Sequence, residues 1–396
     1  MGMMVARALS LFVFAIAVVC WRRPDQLANP TLWFEEGTQL LTNYVQCGAC
    51  AWWLPVNGSN ILSAKLIVLP AFKLSILHAG RLAAVGATLF IALVVSLIGT
   101  APTHLKARYF CALATLLIPT AAENYGVALY TFWWAGLLVA LALLWDPTKD
   151  LQWLRWLLLV VGGLSSPIMF PLSALFVLRA WFERTRTEIA TTVLAVALGV
   201  VSGATMLSSK LDPIPRPTPS SAFEAVGKFV GLFVAPGGAW PSAVGIAALL
   251  VLAWLVLTCW RRLDGYFVLL CGAIALVIAA ALARAPIEVI GPFEMGGRYF
   301  FYPYIFGTWL LLWMAWALWP SWQAAVPAGM IVASILGGMR APLFTHPLFE
   351  HPRWSEVMRA CAAGQETELK IALAWVIYGM TAADCRSLIA GSIVKS

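Results

Sequence analysis

The sequence predicts an all-α fold, a polytopic transmembrane helical bundle of about eleven spans with interfacial helices in its first outer loop. Three observations predict it. Of 396 residues, 61% are apolar and only 11% carry a formal charge, against about 45–50% and about 25% in soluble globular proteins. The apolar residues fall in repeated runs near the roughly 20 residues that cross a bilayer core. Twenty tryptophans supply amphipathic rings of the kind that settle at membrane–water boundaries. The same composition excludes a disordered chain and a coiled coil, which need charge, and a secreted disulfide scaffold, which needs a short cysteine-dense sequence. The net charge of +8 comes without a Lys/Arg block or basic repeat, so no nucleic-acid partner is expected.

In chain order, the first span covers 4–20. Arg7 precedes it and Val18-Val19-Cys20-Trp21-Arg22 follows without a small-x-small cleavage site, so it reads as a retained signal-anchor with its N-terminus inside. Segment 61–77 is apolar but carries Lys65, Pro70 and Lys73. Lysines near mid-membrane each cost a few kcal/mol, so it reads as an interfacial helix on the outer leaflet; if it spans instead, every later assignment inverts. Spans follow at 82–98, 109–122 and 126–145. The short pair 151–164 and 167–180 flanks Ser165-Ser166-Pro167 and reads as a hairpin of half-helices. The remaining spans are 187–207, 241–260, 265–284, 299–319 and 324–339, with a Pro-rich extended connector at 212–219.

Orientation follows from the short basic connectors, with Lys106 and Arg108, Lys149 and Arg155, the Arg179–Arg186 cluster, and Arg261-Arg262 on the cytoplasmic side. The opposite face receives the long segments and most of the 18 acidic residues. The chain thus divides into a transmembrane domain, 1–339, which includes the first outer loop 21–81, and a small outer appendage, 340–396. Cys361 and Cys385 in that appendage are expected to pair as a disulfide in an oxidising compartment. Cys47 and Cys50 read as a local disulfide or two separate thiols. The histidines His78, His104, His346 and His351 are scattered, so no metal site is indicated, although a divalent ion is not excluded.

Intramembrane and membrane-edge ionisable residues are the default candidates for chemistry, and three clusters supply them. The first is Trp21-Arg22-Arg23-Pro24-Asp25 followed by Asn29-Pro30-Thr31-Leu32-Trp33-Phe34-Glu35-Glu36-Gly37. Adjacent carboxylates repel, and burial against aromatics raises one pKa, which tunes a carboxylate for proton transfer; the plain alternative is two solvated acids at a helix N-terminus. The second is Glu123-Asn124 with Trp133 downstream, otherwise a tight interhelical turn. The third is Gly296-Gly297-Arg298-Tyr299, where a guanidinium suits a phosphate at headgroup depth and glycine admits a close approach; otherwise Arg298 is a snorkelling anchor.

Together the clusters resemble a group of poorly characterised bacterial polytopic membrane proteins whose first outer loop reads approximately Pro-x-x-Trp-Ala-Glu-Asp-Gly, and which look like members of the GT-C superfamily of membrane glycosyltransferases. Here the family's Ala is Phe34 and its Asp is Glu36, which leaves open which acid would be the base. The resemblance implies a GT-C-like bundle in a bacterial inner membrane, its N-terminus cytoplasmic and its C-terminus and appendage periplasmic. It implies transfer of a sugar from a polyprenyl-phosphate carrier, the lipid-linked donor, to a glycan, lipid or protein acceptor. Glu35 or Glu36 would take the acceptor proton, and Arg298 and Tyr299, helped by Arg22 or Arg23, would hold the phosphate. Asp25, Glu123, Asn124 and Trp133 would border the substrate, and Lys65 and Lys73 would face the headgroups. The competing classes are a lipid-linked glycan flippase, which would need a polar path through the midplane, and a non-catalytic subunit of a polysaccharide assembly machine.

Overall fold

A computed structural model of the chain describes residues 2–149, 151–208, 219–293, 296–341, 344–346, 353–365, 369–370, 376–377 and 380–394. The principal helices are α1 (Gly2–Arg22), α2 (Leu62–Leu74), α3 (Ala79–Thr100), α4 (Arg108–Leu117), α5 (Thr131–Leu143), α6 (Gln152–Ser165), α7 (Met169–Glu183), α8 (Arg186–Ser208), α9 (Pro241–Cys259), α10 (Gly265–Leu282), α11 (Phe301–Leu318), α12 (Ala325–Gly338), α13 (Trp354–Ala362) and α14 (Ala382–Gly391). Six stretches are long and apolar enough to cross a membrane: Met4–Arg22, Ile76–Thr100, Arg186–Ser208, Pro241–Arg262, Gly265–Leu282 and Gly297–Leu318. That is the architecture of a helical multi-pass membrane protein. Apart from helices, Leu369–Lys370 pairs antiparallel with Val376–Ile377.

Each apolar run of the sequence contains a helix, but several are shorter than the runs. α4 stops at Leu117 because Pro119 pushes Ile118 into an extended conformation. α5 has 13 residues, about 20 Å of rise. It is buried on nearly every side, as a helix apolar all round must be in a bundle interior. α1 and α9 instead expose Leu9, Val13, Leu250 and Leu257, the faces a lipid environment accepts.

The two ends of α5 mark two polar layers. At its start, Thr131 Oγ1 lies 3.1 Å from Ser63 Oγ on α2, and the Ser63 N–H donates to Ser165 Oγ at the end of α6 at 2.9 Å. At its far end, Arg155 Nε donates to the Ala142 carbonyl at 2.9 Å and Arg179 Nη1 to the Leu143 carbonyl at 2.5 Å. Both guanidiniums converge on Glu188, Arg155 as a fork at 2.6 and 2.8 Å and Arg179 at 2.8 Å. α6 and α7 therefore run the full length of α5, which corrects the half-helix reading. Arg155 and Arg179 also leave the set of free connector cations, since both are buried in this triad.

α2 begins and ends at the same level. Its start is tied to Ser165, and its last carbonyls, Lys73 and Leu74, accept the N–H groups of Ile393 and Val394 at 3.1 and 2.8 Å. Its lysines behave differently from expectation. Lys65 is fully buried and its Nζ donates to the Trp52 and Leu54 carbonyls at 3.0 and 2.6 Å, so it braces the loop and does not face headgroups; burial lowers its pKa to about 8. Lys73 is exposed. Exposed tryptophans gather at both levels, Trp53 and Trp240 at the Ser63 end, and Trp181, Trp260, Trp319 and Trp322 at the Glu188 end.

The C-terminal segment packs back on the Ser63 end, where Trp354 Nε1 donates to the Ile76 carbonyl at 2.6 Å. Disulfides join Cys361 to Cys385 and Cys47 to Cys50. Residues 212–218 of the Pro-rich connector, and His351, lie outside the described residues.

Candidate functional site

At the Ser63 end, one cavity of about 460 Å³ opens between the first loop, the start of α7, the ends of α8 and α10, and the turn before α11. The sequence clusters reach it unequally, and the difference starts in the backbone. From Trp33 the chain winds into a wide turn, Glu36–Leu41, that continues as Thr42–Cys47. On that turn Glu36 faces inward. Its Oε2 accepts the Trp33 N–H at 2.9 Å and its Oε1 the Leu129 N–H at 2.6 Å, so it staples the first loop to the segment ahead of α5. Burial pushes its pKa up to about 7, against the pull of those two N–H groups.

Glu35 faces the cavity. Its Oε1 accepts Asn57 Nδ2 at 3.4 Å, while its buried Oε2 meets no partner among the described residues. Burial raises its pKa, and the nearby Arg298 charge partly offsets the rise. Asn57 is aimed by a tight two-residue turn. Asn57 and Gly58 take φ of 47° and 73°, and Val56 and Ser59 exchange N–H···O bonds at 2.8 and 2.9 Å. Gln39 then clasps Asn57, donating from Nε2 to Asn57 Oδ1 at 2.8 Å and accepting the Asn57 N–H at 3.3 Å.

Arg298 enters from the other side. Gly296 adopts φ of 78°, and a Cβ on Gly297 would lie 2.7 Å from Ala121 Cβ and 2.9 Å from the Pro292 carbonyl. The two glycines thus serve backbone packing, not the approach of an anion. The Arg298 N–H donates to Glu123 Oε1 at 3.2 Å and Nη1 to Tyr130 Oη at 3.0 Å, and the other guanidinium donors make no hydrogen bond among the described residues. Tyr130 Oη also accepts Trp33 Nε1 at 3.1 Å. With two donors on its oxygen, the Tyr130 hydroxyl finds no acceptor for its own proton among the described residues. Burial holds that phenol well above its usual pKa, so the proton stays on. Trp133, whose buried Nε1 has no partner among the described residues, and Tyr299 also line the cavity.

Four expected site residues lie elsewhere. Arg22 is fully buried and donates to the carbonyls of Phe344, Leu116 and Thr120 and to Tyr125 Oη, the last at 2.7 Å; it satisfies the frayed end of α4. Arg23 forks onto Asp25 at 2.8 and 2.7 Å and donates to the Tyr125 carbonyl at 2.9 Å. Both guanidiniums are buried and each of their nitrogens already donates within the protein, away from the cavity wall. Asp25 is consumed by the same pair; burial alone would raise its pKa, but Arg23 holds it below the usual range. Asn124 is fully buried and its side-chain amide finds no partner among the described residues, but it is not part of the cavity wall. Glu123 acts one step back, holding the Arg298 backbone.

Three residues at the cavity carried no weight in the sequence reading: Asn57, Tyr130 and Arg284. Asn57-Gly58 is a hairpin-turn dipeptide visible in the sequence. Tyr130 and Arg284 look there like ordinary span-end residues. Among the described residues no group of three His, Cys, Asp or Glu is placed to hold a metal ion. A second cavity at the Glu188 end, lined by His104, Arg179, Glu183, Asp264 and Tyr266, has its acids engaged: Tyr266 donates to Glu183 at 2.6 Å and Lys106 sits 3.9 Å from Asp264.

Compared with known protein families, characterised proteins and solved structures, the chain matches none.

The first cavity can therefore do three things chemically. It brings together the Glu35 carboxylate, the cations Arg298 and Arg284, whose N–H groups are not all bonded among the described residues, and an apolar wing formed by Phe170, Pro171, Met206, Leu276 and Ala280.

Proposed function

We propose that the protein is an integral-membrane glycosyltransferase of GT-C-like fold that moves a sugar from a polyprenyl-phosphate carrier to an envelope glycan, lipid or protein acceptor. The observation that carries the reading is one cavity that joins the Glu35 carboxyl group and the Arg298 guanidinium to an apolar wing, since a lipid-linked sugar presents an acceptor-reactive carbon, an anion and a hydrocarbon tail together. In the transfer, the acceptor hydroxyl oxygen attacks the anomeric carbon and its proton passes to the Glu35 carboxylate. The carbon–oxygen bond to phosphate breaks, its electron pair leaves with the lipid phosphate, and Arg298 stabilises that charge. Tyr130 and Trp133 supply neutral donors for sugar hydroxyls. Glu36, with both oxygens taken, is the structural partner and Glu35 the base.

The cavity end is placed on the periplasmic side of the bacterial inner membrane, with about eleven transits, an N-terminus inside and the C-terminal segment outside. The exposed Lys149, Arg184, Arg186, Arg261 and Arg262 at the opposite end support that orientation. A flippase would need a polar path between the two ends, and the space between them is filled by α5, whose interior residues are apolar. Deleting the gene should remove one sugar modification from the surface glycans read by mass spectrometry. The wild-type gene should restore it and an Arg298→Ala gene should not; restoration by Arg298→Ala at normal expression contradicts the proposal.

A further inference from the structure

Arg284 stands just beyond the end of α10 and lines the apolar wing of the cavity. The buried arginines of this protein are spent on carbonyls and carboxylates, as Arg22, Arg23, Arg155 and Arg179 show. Arg284 is different. Its backbone N–H donates to the Ala281 carbonyl at 3.1 Å, but its half-buried guanidinium makes no hydrogen bond, ion pair or ring contact among the described residues. Its five N–H donors are open to an anion that enters the cavity.

The wing also reaches the protein surface. Phe170 is 52% exposed although it lines the cavity with Met206, Leu276 and Ala280. That part of the lining comes from the start of α7 and the ends of α8 and α10. In the same cavity the Arg298 guanidinium spends one donor on Tyr130 and has no other hydrogen-bond acceptor among the described residues. A carboxylate is filled by one guanidinium fork, whereas a phosphate ester has oxygens and charge for two.

Resting on the proposed function, we infer that Arg284 is a second phosphate-binding residue, set where the wing reaches the protein surface and where the phosphate ester of a lipid enters from the bilayer on its way to Arg298. The apolar wing takes the chain nearest the phosphate, and neither a free phosphate nor an uncharged lipid alcohol satisfies both halves.

Full-length protein in detergent is titrated with farnesyl phosphate, farnesol and inorganic phosphate, and occupancy is read by native mass spectrometry. Wild type should bind farnesyl phosphate in preference to the other two. Arg284→Ala should weaken farnesyl phosphate by about 10- to 100-fold, the loss of charge-assisted hydrogen bonds, with an unchanged melting temperature; Arg284→Lys should fall between. If Arg284→Ala binds as wild type does while Arg298→Ala has lost binding, the role of Arg284 is overturned and the proposed function stands. If wild type does not prefer farnesyl phosphate to both farnesol and inorganic phosphate, both are overturned.

Discussion

Glu35 and Glu36 have the same chemistry and opposite employment, and the wide turn that starts at Glu36 decides it. Glu36→Ala leaves the Trp33 and Leu129 N–H groups buried and unpaired, so it should destabilise by about 2–5 kcal/mol, whereas Glu35→Gln should melt as wild type does. The pH dependence has a definite sign. Because burial raises the Glu36 pKa from 4.5 to about 7, the folded state binds the proton more tightly than the unfolded chain. Its contribution to stability is full below about pH 4.5 and is lost as pH rises to about 7. The melting temperature should carry a downward slope across that window, and Glu36→Gln should flatten it. For Glu35 the handle is Asn57. Asn57→Gly keeps the left-handed turn and removes the amide; Asn57→Asp keeps the turn and adds a negative charge. Both should raise the pH at which a hydrophobic carbodiimide ceases to label Glu35, read by peptide mass spectrometry, with the larger rise for Asn57→Asp. An unmoved labelling curve in both contradicts the positioning role of Asn57.

At the scale of elements, the triad at the far end of α5 ties α6, α7 and α8 to α5 through one carboxylate. Removing Glu188 leaves two buried guanidiniums without a counter-charge, so Glu188→Ala should destabilise by about 3–5 kcal/mol, seen as a lower midpoint in detergent-solubilised melting. The triad also shows what a sequence conceals. Arg155 and Arg179 read as connector cations because a sequence displays the sign of a residue and not its partner. The same limit applies to Arg22 and Arg23, which sit beside the candidate glutamates in the chain yet turn their guanidiniums toward α4 and Asp25. What periodicity and length did disclose were the apolar runs, each of which holds a helix. The ends are less legible where a proline intervenes within an apolar run, as at α4, which Pro119 stops. At the site, the sequence marked Glu35, Arg298 and Trp133. It left Arg284 unmarked, since a cation at a span end is a usual snorkelling position and only the lack of a partner for its guanidinium among the described residues sets it apart.

For the whole molecule, the arrangement of α2 fixes the parity of everything after it. With both ends of α2 at the cavity level, single cysteines introduced at 78–81 should share their reactivity to a membrane-impermeant thiol reagent with the cavity end, and those at 99–105 should not. Equal labelling of both sets contradicts the topology. The C-terminal segment closes on that same end, so thiol reagents applied without reductant should leave Cys361 and Cys385 unlabelled. The proposed transfer turns on Glu35, which lines the cavity and whose buried Oε2 has no donor among the described residues. The most direct test is to replace the chromosomal gene with the Glu35→Gln allele, confirm normal membrane expression, and read the surface glycans by mass spectrometry. Loss of one sugar modification, with Glu35→Asp retaining part of it, is the predicted result. Glycans identical to wild type in the Glu35→Gln strain would contradict the account.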